Sequence, residues 1–255
     1  RAFLDYASKQ LNADAIATGH YVRKHQLGDS YQLLKGLDPN KDQSYFLYLL
    51  SQEQLAPALF PIGELHKTEV RKIAEENNLI THNKKDSTGI CFIGERKFKD
   101  FLNEFIPAKP GNMKTEDGQI MGQHDGLMFY TYGQRQGLGI GGSKNGTEEA
   151  WYVIDKDLKN NVLMVGQGKN HPRLFRSELH CKQLHWIKGL EPDTPISCQA
   201  KTRYQHNDNN INCIVNLSDS NSATVIFEQP QRAITPGQSV VFYQDDVCLG
   251  GGIIL

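Results

Sequence analysis

The sequence predicts a multidomain protein that is α/β at its start and all-β at its end. Three observations predict this. Helix-period apolar spacing occurs only up to Phe105. From Pro107 to residue 150 the chain is broken repeatedly by Pro and Gly. From Trp151 onward short β-rich runs alternate with polar turn clusters, and no helical period returns. Of 255 residues, 38% are hydrophobic and 22% charged, and 28 Lys+Arg against 29 Asp+Glu leave a net charge of −1. That balance excludes a long disordered chain, a coiled coil and a collagen-like repeat. No run of about 18 apolar residues occurs, which excludes a membrane-spanning helix. The length suffices for more than one buried core.

The elements follow in order. Phe3, Leu4, Ala7 and Leu11 fall at helical spacing, so the chain opens within a helix, with no initiator Met and no signal pattern. Residues 14–20 read as a short buried strand that ends in a Gly-containing turn, and 31–35 as a second strand. The apolar run 43–50 reads as helical. Val70, Ile73, Ala74 and Asn77 repeat at i, i+3, i+4, i+7, which predicts an amphipathic helix over 66–78. A polar loop from Thr81 to Gly94 follows, then a helix carrying Phe98, Phe101, Leu102 and Phe105 on one face. Beyond it, strands are expected over 151–155, 161–165, 174–186, 196–203, 211–217, 222–228, 239–243 and 247–255. Their spacing suggests a small antiparallel barrel or sandwich.

Several stretches could carry chemistry. Gly137-Leu-Gly-Ile-Gly-Gly142 matches the dinucleotide fingerprint literally. That fingerprint must open a helix, so that backbone N–H groups meet phosphate. Here the polar Ser143-Lys-Asn-Gly146 follows, and the glycines read instead as a tight loop. The five cysteines include no C-x-x-C pair and no zinc spacing, so no metal site is expected, and a reducing cytoplasm fits them. Cys181, Cys198, Cys213 and Cys248 lie in strand-like runs and read as small buried hydrophobes. Cys91 differs. It sits in Asp86-Ser-Thr-Gly-Ile-Cys-Phe-Ile-Gly94, with Lys84, Lys85, Arg96, Lys97 and Lys99 nearby, and a positive surround lowers a thiol pKa. His20 ends a strand, where open α/β sheets bind ligands. Lys41-Asp-Gln43 enters the apolar run 43–50. Arg203-Tyr204 pairs a phosphate-binding fork with a stacking ring. Lys169–His206 holds seven Lys/Arg, three Asp/Glu and four His, a basic patch compatible with RNA.

Five stretches occur in an order that resembles the tRNA-specific 2-thiouridylases, the MnmA/TrmU family. They are Ala17-Thr-Gly-His-Tyr21, Gly36-Leu-Asp-Pro-Asn-Lys-Asp-Gln-Ser-Tyr-Phe46, Phe60-Pro-Ile-Gly63, Asp86-Ser-Thr-Gly-Ile-Cys91 and Tyr132-Gly-Gln-Arg-Gln-Gly-Leu-Gly-Ile-Gly-Gly142. The resemblance implies the C-terminal part of an ATP-pyrophosphatase (adenine nucleotide alpha hydrolase-like) α/β domain over 1–96, a central domain over 97–168 and a C-terminal β-barrel over 169–255. It implies a cytoplasmic enzyme that uses ATP, with Mg2+, to adenylate O2 of the wobble uridine (U34) in tRNAs such as the Lys, Glu and Gln acceptors. Sulfur then arrives from a cysteine persulfide loaded by a sulfur-relay protein, giving 2-thiouridine. By position, Cys91 is the persulfide cysteine and Gly19 lies at the ATP site. His20, Lys41, Asp42, Gln43, Arg203, Tyr204 and Gln238 fall at tRNA-contacting positions.

One departure accompanies the resemblance. The family's Ser-Gly-Gly-Val-Asp-Ser phosphate loop and its other catalytic cysteine have no counterpart in these residues. The chain therefore reads as an enzyme without roughly its first hundred residues, expected to be inactive alone. Two rival readings remain open at this point: a noncatalytic RNA-binding module, and another ATP-pyrophosphatase-type synthetase acting on a small substrate.

Overall fold

A computed structural model describes residues 2–84, 98–141, 149–204 and 211–255. The chain forms two compact units. One joins Arg1–Lys84 to Ser177–Gln229 and Pro236–Leu255, and the other comprises Lys85–Arg176 and Pro230–Thr235. Regions far apart in sequence thus share the first unit.

The first unit opens with α1 (Ala2–Leu11) and β1 (Ile16–Ala17). Asn12 takes a left-handed φ of 51° and lets Ala13 N–H reach back to the Ala7 carbonyl at 3.0 Å, which ends the helix. The hairpin β2 (Val22–Leu27) and β3 (Ser30–Lys35) follows, then a 3-10 turn over Ser44–Phe46. Next come α2 (Gln52–Leu55), β4 (Ala58–Leu59) and α3 (Lys67–Glu76). β4 lies parallel to β1, with Ile16 beside Ala58 and Ala17 beside Leu59.

The expected helix over 43–50 is not formed. Ser44 is held by Asp42, and Tyr45 and Tyr48 are 6% and 4% exposed, so this apolar run folds as a tight turn onto a core. Helix starts only after Ser51, where the Gln54 side chain returns to the Ser51 N–H at 3.0 Å. β2 did not stand out in the sequence because Arg23, Lys24 and His25 interrupt any apolar alternation. The strand expected over 14–20 shortens to two residues, with Ile16 half-buried and Ala17 exposed. The amphipathic helix is present as α3, yet none of its residues is buried.

The β-rich part closes into a barrel. Strands β9 (Phe175–Trp186), β10 (Ile196–Lys201), β11 (Ile211–Asp219), β12 (Ser222–Arg232), β13 (Ser239–Gln244) and β14 (Val247–Ile254) pair in the order β13-β10-β11-β12-β9-β14, and β13 also pairs with β14. The hairpin β2–β3 extends this sheet at the start of β14, where Leu34 opposes Val247 and Leu33 opposes Cys248. β14 therefore changes partners along its length, from β3 to β9. Its glycines make this possible. A Cβ on Gly250 would stand 2.0 Å from the His185 carbonyl oxygen, and one on Gly251 2.4 Å from that of Val240. A core of Val22, Leu33, Tyr45, Tyr48, Leu55, Ile187, Val241, Tyr243 and Cys248 fuses hairpin, turn and barrel. Cys181, Cys198, Cys213 and Cys248 are free and buried, in the small-hydrophobe role expected of them.

The second unit contains α4 (Phe98–Phe105) and a sheet of β5 (Gly111–Lys114), β6 (Ile120–His124), β7 (Trp151–Asp157) and β8 (Val162–Gln167), ordered β6-β5-β8-β7. Met113, Tyr130, Leu138, Val153, Leu163 and Val165 form its core. His124 is 1% exposed and satisfied between the Asn161 carbonyl (3.1 Å) and the Gly126 N–H (3.1 Å). Gly137 and Gly139 adopt φ of 78° and 64° in an irregular loop, as a tight turn requires. No helix among the described residues is long and apolar enough to cross a membrane.

Candidate nucleic-acid interface

The loop between β3 and the 3-10 turn organises the site, and Asp42 is its pivot. This residue is 4% exposed. Its Oδ1 accepts the N–H of Gly36 at 3.1 Å and of Ser44 at 3.0 Å. Its Oδ2 accepts the Ser44 hydroxyl at 2.9 Å and the Lys201 ammonium at 3.4 Å. Gly36 has no room for a side chain, because a Cβ there would lie 2.4 Å from the Tyr21 carbonyl oxygen. That close approach keeps the loop pressed to the hairpin. Asp38 anchors the other side. Its carboxylate accepts the Lys67 N–H at 3.0 Å and the Asn40 N–H at 3.0 Å. These backbone donors, the Lys67 one foremost, hold its pKa below the usual carboxylate value.

Around this pivot the structure brings most of the expected residues together. Gln43 is stapled to Tyr21, donating its N–H to the Tyr21 carbonyl (3.1 Å) and accepting the Tyr21 N–H on Oε1 (2.9 Å). This ties Gln43 to the residue that follows His20. His20 Nδ1 lies 2.7 Å from the Thr18 hydroxyl, and burial lowers its pKa from the ordinary histidine value. Lys41 is half-buried, with its N–H on the Asp38 carbonyl at 3.0 Å. Arg203 and Tyr204 leave the end of β10, and the Tyr204 ring packs on Phe46 at 4.3 Å between centroids. Gln238 is exposed and precedes Ser239, whose carbonyl accepts the Tyr45 hydroxyl at 2.8 Å. Burial pushes the Tyr45 pKa up to about 12, so it remains a neutral donor.

Gly19 is exposed one residue before His20, and the nearest atom to a Cβ built there is Ile62 Cδ1 at 4.0 Å. Cys91 lies outside the described residues. Among the described residues no group of three or more His, Cys, Asp or Glu is placed to hold a metal ion. A cleft of about 620 Å³ opens elsewhere on the barrel, lined by Cys198, Cys213, Phe227, Glu228 and Tyr243 among others, and contains none of the expected site residues.

Two members of the cluster were not singled out from the sequence. Phe46 is 54% exposed although it sits in an apolar run that reads as core. Lys201 carries no motif, and only its partner Asp42 reveals it.

The arrangement ties the loop carrying Lys41 and Gln43 to the strand end carrying Arg203 and Tyr204, through the buried Asp42–Lys201 pair and the Phe46–Tyr204 ring contact. Three domain models match nearly the whole chain: a tRNA methyl transferase HUP domain over residues 1–95, a tRNA methyl transferase PRC-barrel domain over 99–167 and an aminomethyltransferase beta-barrel domain over 176–254. The fold is accordingly a HUP-type α/β region, a PRC-barrel region and a closed C-terminal β-barrel, as expected from the sequence. These define a class of tRNA-modifying enzymes.

Among curated proteins, the tRNA-specific 2-thiouridylase MnmA of Pseudoalteromonas translucida is 58% identical over 254 residues, covering 100% of this chain and 69% of that protein. The MnmA proteins of Haemophilus influenzae (58% identical, 66% of that protein covered) and Salmonella arizonae (59% identical, 68% covered) are similar over the same span. The chain belongs to the MnmA family of tRNA-specific 2-thiouridylases. It spans about two thirds of the length of these relatives.

Proposed function

We propose that this chain supplies the tRNA-recognition surface and the sulfur-carrying cysteine of a cytoplasmic tRNA-uridine 2-sulfurtransferase. The observation that carries the reading is the joining of the Lys41–Phe46 loop to the strand end bearing Arg203 and Tyr204, through Asp42–Lys201 and Phe46–Tyr204, in a chain with 58% identical MnmA relatives. Its residues would act on a tRNA bearing U34, with the Lys, Glu and Gln acceptors as the expected set. The Arg203 guanidinium suits phosphate oxygens. Phe46 and Tyr204 offer rings on which an unpaired base can stack. His20 would serve as a neutral partner. With Nδ1 taking the Thr18 hydroxyl proton, Nε2 would carry an N–H toward the RNA. Gln238 would present its amide from the turn before β13.

Gly19 fits a nucleotide site, since it follows a parallel strand and has open space where a side chain would stand. Bound ATP, with Mg2+, would convert the uridine 2-oxygen from a poor leaving group into a good one. Cys91 would hold the sulfur as a persulfide received from a relay protein. A persulfide is already nucleophilic near neutral pH, so no histidine base of the Cys-His kind is required. We further propose the division 1–96, 97–168 and 169–255 as the functional domains.

The test is the 2-thiouridine content of tRNA from cells whose only copy of the full-length enzyme carries Cys91→Ser. Loss of the modification supports the reading. Normal 2-thiouridine would sink it and favour a noncatalytic RNA-binding module, which has no need of Cys91.

A further inference from the structure

We infer that Asp42 and Lys201 are positioning residues: a buried ion pair that holds the two halves of the RNA-facing surface in register without touching RNA. The inference rests on the reading of this surface as the tRNA site. The resemblance places Asp42 at a tRNA-contacting position, yet its carboxylate is spent within the protein. An anion beside phosphate is repelled, and the Asp42 side chain is only 3% exposed. Its two oxygens already accept from Gly36, Ser44 twice, and Lys201.

The partner comes from the other end of the chain. Lys201 closes β10, with its side chain 13% exposed and its ammonium 5.7 Å from the Tyr243 ring centroid. Lys35 faces the same ring at 5.1 Å and also senses the Asp42 charge, along with Asp245 and Asp246 at the neighbouring turn. The pair thus sits inside a closed polar cluster. Ser44, bonded to Asp42, reaches the Tyr243 hydroxyl at 3.1 Å and locks the loop to β13.

The positions flanking the pair explain its purpose. Asp42 lies between Lys41 and Gln43, and Lys201 lies two residues before Arg203. Fixing Asp42 to Lys201 therefore fixes the loop that carries one set of RNA-facing groups against the strand end that carries the other. The Phe46–Tyr204 ring contact spans the same gap. Removing one partner leaves a buried charge uncompensated, which destabilises a local arrangement strongly.

The experiment measures tRNA affinity of the full-length enzyme across a salt series for Lys201→Met, Asp42→Asn and the double variant, with Arg203→Ala as reference. A lost phosphate contact flattens the slope of log affinity against log salt by a little under one, whereas lost positioning lowers affinity and leaves the slope unchanged. The expected result is at least fivefold weaker binding in each single variant with unchanged slope. The double variant should be no weaker than the worse single, because both losses are the same loss.

A flattened slope for Lys201→Met, additive losses, or unchanged affinity in both singles would overturn the proposal. If Lys201→Met does not fold, Asp42→Asn decides, since it keeps the size and shape of the side chain while removing its charge and one acceptor oxygen. If Arg203→Ala also binds normally, the reading of the surface fails and this inference with it. If Arg203→Ala weakens binding while the pair variants do not, this inference alone fails.

Discussion

The barrel with its loop and the α/β start of the chain are built to different standards. In the first, together with the hairpin β2–β3 and α2 that pack onto it, Val22, Leu33, Leu55, Val241 and Tyr243 are each 0% exposed, and a charged pair is sealed among them. In the second, β1 is two residues long, α3 buries none of its side chains, and Ile73, Leu79 and Ile80 are 48%, 52% and 98% exposed. The lesson is that the groups proposed to face RNA stand on a tightly packed core, whereas the strand end carrying Gly19 is loosely packed. Recognition and chemistry should therefore respond separately to substitution.

The largest expected effect breaks chemistry while sparing recognition. Cys91→Ser in the full-length enzyme should abolish thiolation and leave tRNA affinity within about threefold, or about 0.65 kcal/mol. Mass spectrometry of tRNA nucleosides beside a binding isotherm checks both halves. A parallel collapse of binding would show that the two functions are not separable.

The next effect tests the core directly. Leu33→Ala should destabilise the protein by about 2–5 kcal/mol, because a fully buried leucine leaves a cavity. Ile73→Ala, on the exposed face of α3, should stay within about 0.5 kcal/mol. Denaturant melts of the two variants give the contrast, and similar losses would erase the distinction drawn above.

Recognition itself should weaken by at least about tenfold, roughly 1.4 kcal/mol, in the double variant Arg203→Ala with Tyr204→Ala. The salt dependence should flatten by a slope of a little under one, and the thermal midpoint should move little. A clear drop in melting point with unchanged affinity would make both residues structural.

The smallest effect concerns pH. Burial lowers the His20 pKa, so the unfolded chain binds a proton there more readily than the folded one. The stability that neutral His20 contributes is present above the ordinary histidine pKa of about 6.5 and is lost as pH falls from there toward the folded value. His20→Gln should remove this component. Melts of both proteins between pH 7.5 and pH 5 should converge if the assignment holds, and parallel curves would count against it.

Much of the fold was legible because strand alternation and turn clusters are local signals. All eight expected strands from residue 151 onward appear, shifted by a few residues at most. The helices over 67–76 and 98–105 followed from spacing. What misled was the run 43–50. Its apolar residues are consecutive because they pack into a barrel made some two hundred residues later, a tertiary demand that periodicity cannot register. The site was readable in the same uneven way. His20, Gln43 and the Arg203-Tyr204 pair stood out as candidates, and the structure ties Gln43 to the residue after His20 and Tyr204 to Phe46. Lys201 stayed invisible because its significance is a contact across 159 positions of sequence. Phe46 was hidden for the opposite reason, since an exposed ring in an apolar stretch looks like any core residue.

The position of β14 sets a timetable for biosynthesis. The loop bearing Lys41 and Gln43 leaves the ribosome early, but Tyr243 and Cys248, which complete its core, are made much later. Until β13 and β14 emerge, the hairpin β2–β3 has no strand to extend and Ser44 has no hydroxyl partner on Tyr243. Contacts of such long sequence separation form slowly. A nascent chain stalled before residue 239 would therefore display Lys41 and Gln43 of the early loop without their final geometry. If that loop is the tRNA surface proposed above, the surface becomes competent only when the barrel closes, and an unfinished chain would compete poorly for tRNA with the finished enzyme.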